Sequence, residues 1–371
     1  MVDLFKHNAS MSSSVGFAGA FLWMLVGVVV PVVFLMMFNF VSDSYGVFGN
    51  NTVHTPLTNM NFLRMQHLLE TDQRHEVLLL GSSRANAMDI RRHTSGSAYT
   101  LPVGGGYTDG HLLHLKALVS NNKKPEVVLL GLGEAAIKYP PTHQIRQSRL
   151  VRLHPVVTGI GSAWHTWGYL FYLPSDAQVK EYATRLSRRW SGEAAEADNR
   201  IAGLRETGVN YNLVGQEQRA LQRSYASHVA FLESDLFSLP YHPEGERLAI
   251  ETIEAIARLA QANGIELLIY IDPVYQAKHL LEDIDRLASF KRSLTKVAPF
   301  LDFNNFHSEF ADPRSFFDTL HYTRAIGDRL AKDISRAMRG EIEGLDLGVW
   351  VTPENVDEYL AEQESLYLQL K

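Results

Sequence analysis

The chain has 371 residues, 46% of them hydrophobic and none of them cysteine, which excludes disulfides, thiolate metal sites and thiol catalysis. A formal net charge of −6 and a pI near 6.2 provide no basic patch of the kind that binds nucleic acid. The sequence contains no repeat of fixed period and no long low-complexity tract.

From His7 to Ser42 there is no Asp, Glu, Lys or Arg, and Val15 to Val41 is almost wholly apolar. A bilayer core needs about 20 apolar residues in helix, and this run exceeds that. Pro31 is compatible with a transmembrane helix. Residues 1–42 therefore read as an N-terminal transmembrane anchor. Lys6 precedes the span and Asp43 follows it, while the next basic residue is Arg64. The positive-inside rule then places the N-terminus inside and the rest of the chain outside. Residues 43–70 read as a linker, rich in turn formers, that ends in a short helix.

From about residue 71, strand-like and helix-like segments alternate. Apolar runs at about 77–81, 98–103, 127–132, 266–272 and 299–303 read as five strands. Helical periods intervene at 111–120, 247–264, 280–297 and 324–338. Nearly continuous apolar strands alternating with helices predict an α/β fold, a three-layer sandwich around a five-stranded parallel sheet. The domain spans 71–340, with a helical insertion at about 140–244 that reads as a lid, a membrane-proximal surface or an ordinary packed insertion. It holds Trp164, Trp167 and Trp190. The tail, 341–371, is acidic and partly helical. It either docks a partner through Trp350, Tyr359, Leu366 and Leu368 or packs on the domain.

Ligands of such sheets bind outside the carboxyl ends of the strands. Four small-residue or acidic turns fall there: GSSR from Gly81, GGGY from Gly104, GLGE from Gly131 and DPVY from Asp272. Ser83 is either a nucleophile or a helix N-cap. Near the C-terminus Asp318 and His321 form D-x-x-H before a helix that contains Gly327. Histidine is the usual general base for a serine, and a carboxylate three residues away can orient its ring. Gly104, Gly105 and Gly106 either permit a tight loop or supply a backbone N–H to an oxyanion; Gly105 is the preferred donor. Arg84 reads as an anion binder or a structural ion-pair partner, Glu134 as a pocket residue or a helix cap, and Tyr107 as a substrate contact. His111 and His114 have a spacing open to a metal, but a solvated helix face is the simpler reading.

Together these blocks resemble the SGNH (GDSL-like) hydrolase superfamily over residues from about 75 to 135 and from 245 to 338. The resemblance implies Ser83 as nucleophile, His321 as base, Asp318 as its orienting acid, and the N–H groups of Ser83 and Gly105 as oxyanion donors. It implies no cofactor and no metal. Two positions depart from the family pattern: Ser82 replaces an Asp, and Gly133 replaces an Asn whose side chain is an oxyanion donor. GSSR beside an N-terminal anchor is similar to a membrane-anchored branch, the DltD-type proteins of teichoic acid D-alanylation and the AlgJ/AlgX-like proteins of exopolysaccharide acetylation. That similarity implies a serine acyltransferase at a bacterial cytoplasmic membrane, its soluble domain periplasmic or extracellular. Its partners would be a cell-envelope polysaccharide, an acyl donor and a membrane-bound O-acyltransferase. An SGNH esterase acting on glycans or lipids and an inactive SGNH-fold binding module are the alternatives.

Overall fold

The computed structural model describes residues 4–43, 47–48, 60–138, 154–158, 167–191, 207–208, 212–238 and 240–371. Most of the expected linker, Trp164 and the 192–200 stretch lie outside them. The chain divides into two compact units: Met1–Asn59 with Ile160–Asp198, and Met60–Gly159 with Asn199–Lys371.

The first unit is built on helix α1 (Leu4–Ser42). Its segment Gly19–Ser42 is 24 residues long with a mean hydropathy of 2.7, long and apolar enough to cross a membrane. Its side chains from Phe21 to Val30 are exposed, as a helix that needs an apolar solvent requires. A further helix of this unit lies in the insertion, within residues 167–191.

The second unit opens with α2 (Met60–Glu70), then β1 (Val77–Gly81), β2 (Ala98–Pro102), α3 (Thr108–Ser120), β3 (Val127–Leu132) and α4 (Glu134–Lys138). Numbering the insertion's helices in chain order gives α5 (Asp176–Ser191) in the first unit and α6 (Asn212–Leu221) and α7 (Tyr225–Ser234) in the second. Then come α8 (Gly245–Ala262), β4 (Glu266–Ile271), α9 (Ile284–Thr295), β5 (Phe300–Asp302), α10 (Arg324–Met338), β6 (Val349–Val351) and α11 (Val356–Leu370). The strand order is β2-β1-β3-β4-β5-β6. Five strands are parallel, with Leu79 of β1 opposite Thr100 of β2 and Leu129 of β3. The period of two sends Leu78, Leu80 and Leu130 to one core, with α3, α8 and α9, and Leu79, Leu129 and Leu301 to the other, with α10.

The sheet has six strands, where the sequence reading expects five. β6 runs antiparallel to β5, with Trp350 opposite Leu301. Three residues in an acidic tail are too few to show a strand period. Specific bonds fix this tail. Asp333 of α10 accepts the N–H groups of Asp346, Leu347 and Gly348 at 2.9, 2.7 and 3.0 Å. Tyr359 of α11 donates to Asp302 of β5 at 2.8 Å, and Lys291 pairs with the same carboxylate oxygen at 2.6 Å.

Candidate active site

β1 ends at Gly81, and the chain turns at once into a short 3₁₀ helix, Ser83–Ala87. Gly81 permits this turn: a methyl group there would stand 3.0 Å from Ala85 Cβ. Ser82 caps the helix, its hydroxyl accepting the N–H of Arg84 at 3.2 Å. The cap is thus Ser82 and not Ser83. The Ser83 hydroxyl faces His321 instead, with Oγ 2.7 Å from Nε2.

His321 and Asp318 lie on one tight turn, closed by a bridge between Phe316 and Tyr322 and by the Phe317 N–H on the His321 carbonyl at 3.0 Å. The Phe317 ring stacks on the imidazole at 5.4 Å. His321 Nδ1 lies 2.9 and 2.8 Å from the two Asp318 oxygens. An ionised carboxylate only accepts, so Nδ1 carries the proton and Nε2 offers its lone pair to the Ser83 hydroxyl. Burial pushes the Asp318 carboxyl up. The bond and charge of His321 and the N–H groups of Leu320 and His321 override it and hold Asp318 below the usual carboxylate range.

The insertion holds this turn. His228 of α7 is fully buried, and its Nε2 reaches the carbonyls of Pro313 at 3.0 Å and Phe316 at 2.8 Å. Thr319 donates to the Asp235 carbonyl at 3.3 Å. Glu217 of α6 accepts the backbone N–H of Arg324 at 2.9 Å and its Nε at 3.0 Å. Glu217 and Arg324 join Ser83, Arg84, Phe317 and His321 in lining an open cleft. None of these insertion residues stands out in the sequence, because each acts through a contact about 80 to 110 positions away.

Comparison with protein-family models and with curated proteins found no match.

Of the three glycines after β2, Gly105 and Gly106 have φ of +77° and +69°. The Gly106 N–H is taken by the Val103 carbonyl at 2.8 Å, and a methyl group on Gly106 would sit 2.9 Å from Ser82 Cβ. Gly105 is exposed and lies against the Tyr107 ring. Tyr107 itself does not line the cleft.

Arg84 is 5% exposed, and its Nη1 is buried without a hydrogen-bond partner. Among the described residues its guanidinium has no carboxylate within ion-pair distance, so the reading of a structural ion pair does not hold. A Cβ built on Gly133 would stand 3.5 Å from Arg84 Nη1 and 3.5 Å from Ser82 Oγ. Arg84 Nη1 and Ser82 Oγ are thus in van der Waals reach of any side chain at 133.

Asp272, just past the end of β4, is the site residue that sequence reasoning missed. It accepts from Ser82 Oγ and from the Tyr322 hydroxyl, both at 3.3 Å. Burial pushes its carboxyl up to about 6, against the opposing pull of Arg84. The DPVY turn at a strand end was the available signal.

Glu134 is neither a cleft residue nor a simple helix cap. It pairs with Lys138 at 2.7 Å and Lys278 at 2.9 Å in a buried ion cluster that also takes in Glu282. His111 and His114 are fully buried, not on a solvated face, and burial pulls them down to about 3 and about 4. No group of three or more metal-ligating side chains occurs among the described residues.

Proposed function

We propose that the chain is a membrane-anchored SGNH-type serine acyltransferase that moves an acyl group to a cell-envelope polysaccharide or related polymer. The observation that carries this reading is the relay Ser83 Oγ–His321 Nε2 at 2.7 Å, continued from Nδ1 to Asp318 at 2.8 Å. In the first half-reaction His321 takes the Ser83 proton as Oγ bonds to the acyl carbonyl carbon. The tetrahedral intermediate then expels the donor's leaving group, which takes the proton from Nε2. In the second half-reaction His321 takes the proton of an acceptor hydroxyl. That oxygen attacks the acyl-serine, and Ser83 recovers its proton as the ester breaks.

The N–H groups of Ser83 and Gly105 are the backbone donors to the oxyanion. Arg84, which lines the cleft beside Ser83, adds a cationic donor in place of the missing Asn side chain. Among the described residues, α1 supports a single membrane anchor at the N-terminus. Placement in a bacterial cytoplasmic membrane, with the catalytic domain on the periplasmic or outer side and a membrane-bound O-acyltransferase as partner, follows from the charge asymmetry and the resemblance.

Esterase action is the second reading, favoured by solvent access. The His321 and Asp318 side chains are 20% and 27% exposed, so water can reach an acyl-serine. Fluorophosphonate labelling of the full-length chain in detergent tests the shared first half. Labelling at Ser83, abolished in Ser83→Ala and His321→Ala, is the expected result. A folded chain that does not label overturns it and leaves a binding role. Release of an acyl-Ser83 by a sugar hydroxyl rather than by water separates transferase from esterase.

A further inference from the structure

The span's last turn and the insertion meet within the first unit. Gly19–Ser42 rises about 36 Å at 1.5 Å per residue, against a hydrocarbon core of about 30 Å, so its end lies at the level of the headgroups. In that last turn the buried Asn39 amide donates to the carbonyls of Leu170 at 2.8 Å and Tyr172 at 2.7 Å. The Phe38 ring meets the Tyr182 ring of α5 edge-on at 5.4 Å. These contacts pin residues 170–182 to the end of the membrane helix.

The pinned segment leaves large apolar side chains uncovered. Trp167 and Phe171 are half exposed and stacked on each other, Leu173 is 78% exposed, and Trp190 is 93% exposed. On α5, Val179, Tyr182, Leu186 and Trp190 recur at intervals of three or four and so share one face. The same helix carries Lys180, Arg185, Arg188 and Arg189 against Asp176 and Glu181. An amphipathic, net basic helix with Trp on its apolar side is the composition that lies in a lipid headgroup layer. Trp and Tyr concentrate at that depth. A water-soluble surface seldom exposes so many large apolar side chains within one segment of 25 residues, 167–191.

We propose that residues 167–191 lie in the headgroup layer of the bilayer that α1 crosses, with α5 parallel to the membrane surface and its Val179–Trp190 face toward the acyl chains. The occupant of the patch is the lipid itself, because the patch is continuous with the end of the span. This inference does not depend on the acyl-transfer reading.

The test uses the absence of cysteine. Leu173→Cys, Trp190→Cys and, as a solvent control in the other unit, Leu281→Cys are each introduced singly into the full chain. Each is labelled with a nitroxide and placed in nanodiscs that contain anionic lipid. Collision with dissolved oxygen is compared with collision with a water-soluble nickel chelate. The oxygen-to-nickel ratio at 173 and 190 should exceed that at Leu281 severalfold. A ratio at either position equal to that at Leu281 overturns the proposal. All three side chains are at least half exposed or nearly so, so the substitutions leave the packing intact.

Discussion

Replacement of Arg84 by Met should move stability and activity in opposite directions. Arg84 is 95% buried, its Nη1 lacks a hydrogen-bond partner, and among the described residues no carboxylate stands within ion-pair distance. A buried cation in that condition carries a desolvation penalty of several kcal/mol, partly offset at longer range by Asp272. Met keeps the unbranched stem and removes the charge. Asp272 then loses the cation that draws its carboxyl down, so the carboxyl rises further and its charge becomes easier to shed. Arg84→Met should therefore unfold at a temperature no lower than the parent chain. With the Arg84 guanidinium as an oxyanion donor from the cleft wall, the same change costs about 10²–10³ in the rate of acylation at Ser83, about 3 kcal/mol of transition-state stabilisation. Fluorophosphonate labelling rates and thermal unfolding of the detergent-solubilised chain read the two quantities separately. Gly133→Asn in the Arg84→Met background places an amide in the vacated space and should recover part of the rate. The reasoning is refuted if Arg84→Met lowers stability by more than about 2 kcal/mol, which would reveal a structural partner. It is equally refuted if the labelling rate is unchanged.

Asp272 sets a pH dependence of stability. Its folded-state carboxyl is raised to about 6 from 3.8, so between those values the folded chain binds the extra proton, and stability falls as pH rises through that window. Asp272→Asn removes a contribution of about 3 kcal/mol, so the gap between variant and parent stability should open between about pH 4 and 6 and stay constant above it. A gap that does not change with pH over that range sinks the assignment. Asp318 works in the opposite sense: held below its usual range, it contributes stability that is complete above the unfolded value and is lost as pH falls through the folded one. Asp318→Asn should flatten that acid limb and lower Ser83 labelling, and an unchanged acid limb would remove the ion pair from the account. His228→Ala deletes the bonds that hold the Pro313 and Phe316 carbonyls and should cost about 1–3 kcal/mol in chemical denaturation together with slower labelling. Equal labelling rates would mean that the Asp318–His321 turn holds its shape without the insertion. Gly106→Ala forces a side chain onto φ +69° and against Ser82, so it should lose about 1–3 kcal/mol and disturb the nucleophile turn. Parent-like unfolding and labelling would show that the turn relaxes freely.

The five parallel strands are legible because each is buried on both faces and therefore reads as an unbroken apolar run between polar segments. Val127–Leu132 and Glu266–Ile271 pair in register over six residues, and both runs are visible in the chain. β6 is not legible, since three residues on an edge strand carry no period and the turn that leads into them is fixed by Asp333, on a helix already passed. The buried histidines mislead for a related reason. His111 and His114 are polar by residue type, and only the packing of α3 reveals that both face the core, where the ring of His114 meets the Gly110 carbonyl.

At the site, what is readable is what local spacing encodes. Asp318 and His321 converge because three residues suffice for a turn, and Ser83 follows a strand end that the apolar run announces. Arg84, Gly133 and Asp272 come together only through the side-by-side order of β1, β3 and β4, which separate segments of sequence supply. Under the proposed SGNH-type reading, that order also relates Ser82 to Gly133. Without a side chain at 133, there is room for the Arg84 guanidinium beside Ser82. Ser82 carries no charge of its own, and the nearby carboxyl is Asp272 one strand beyond β3, to which Ser82 Oγ donates. A Cβ at 133 stands in ordinary contact with Arg84 Nη1 at 3.5 Å, so any clash in Gly133→Asn comes from the amide beyond it, and Arg84→Met should relieve that clash.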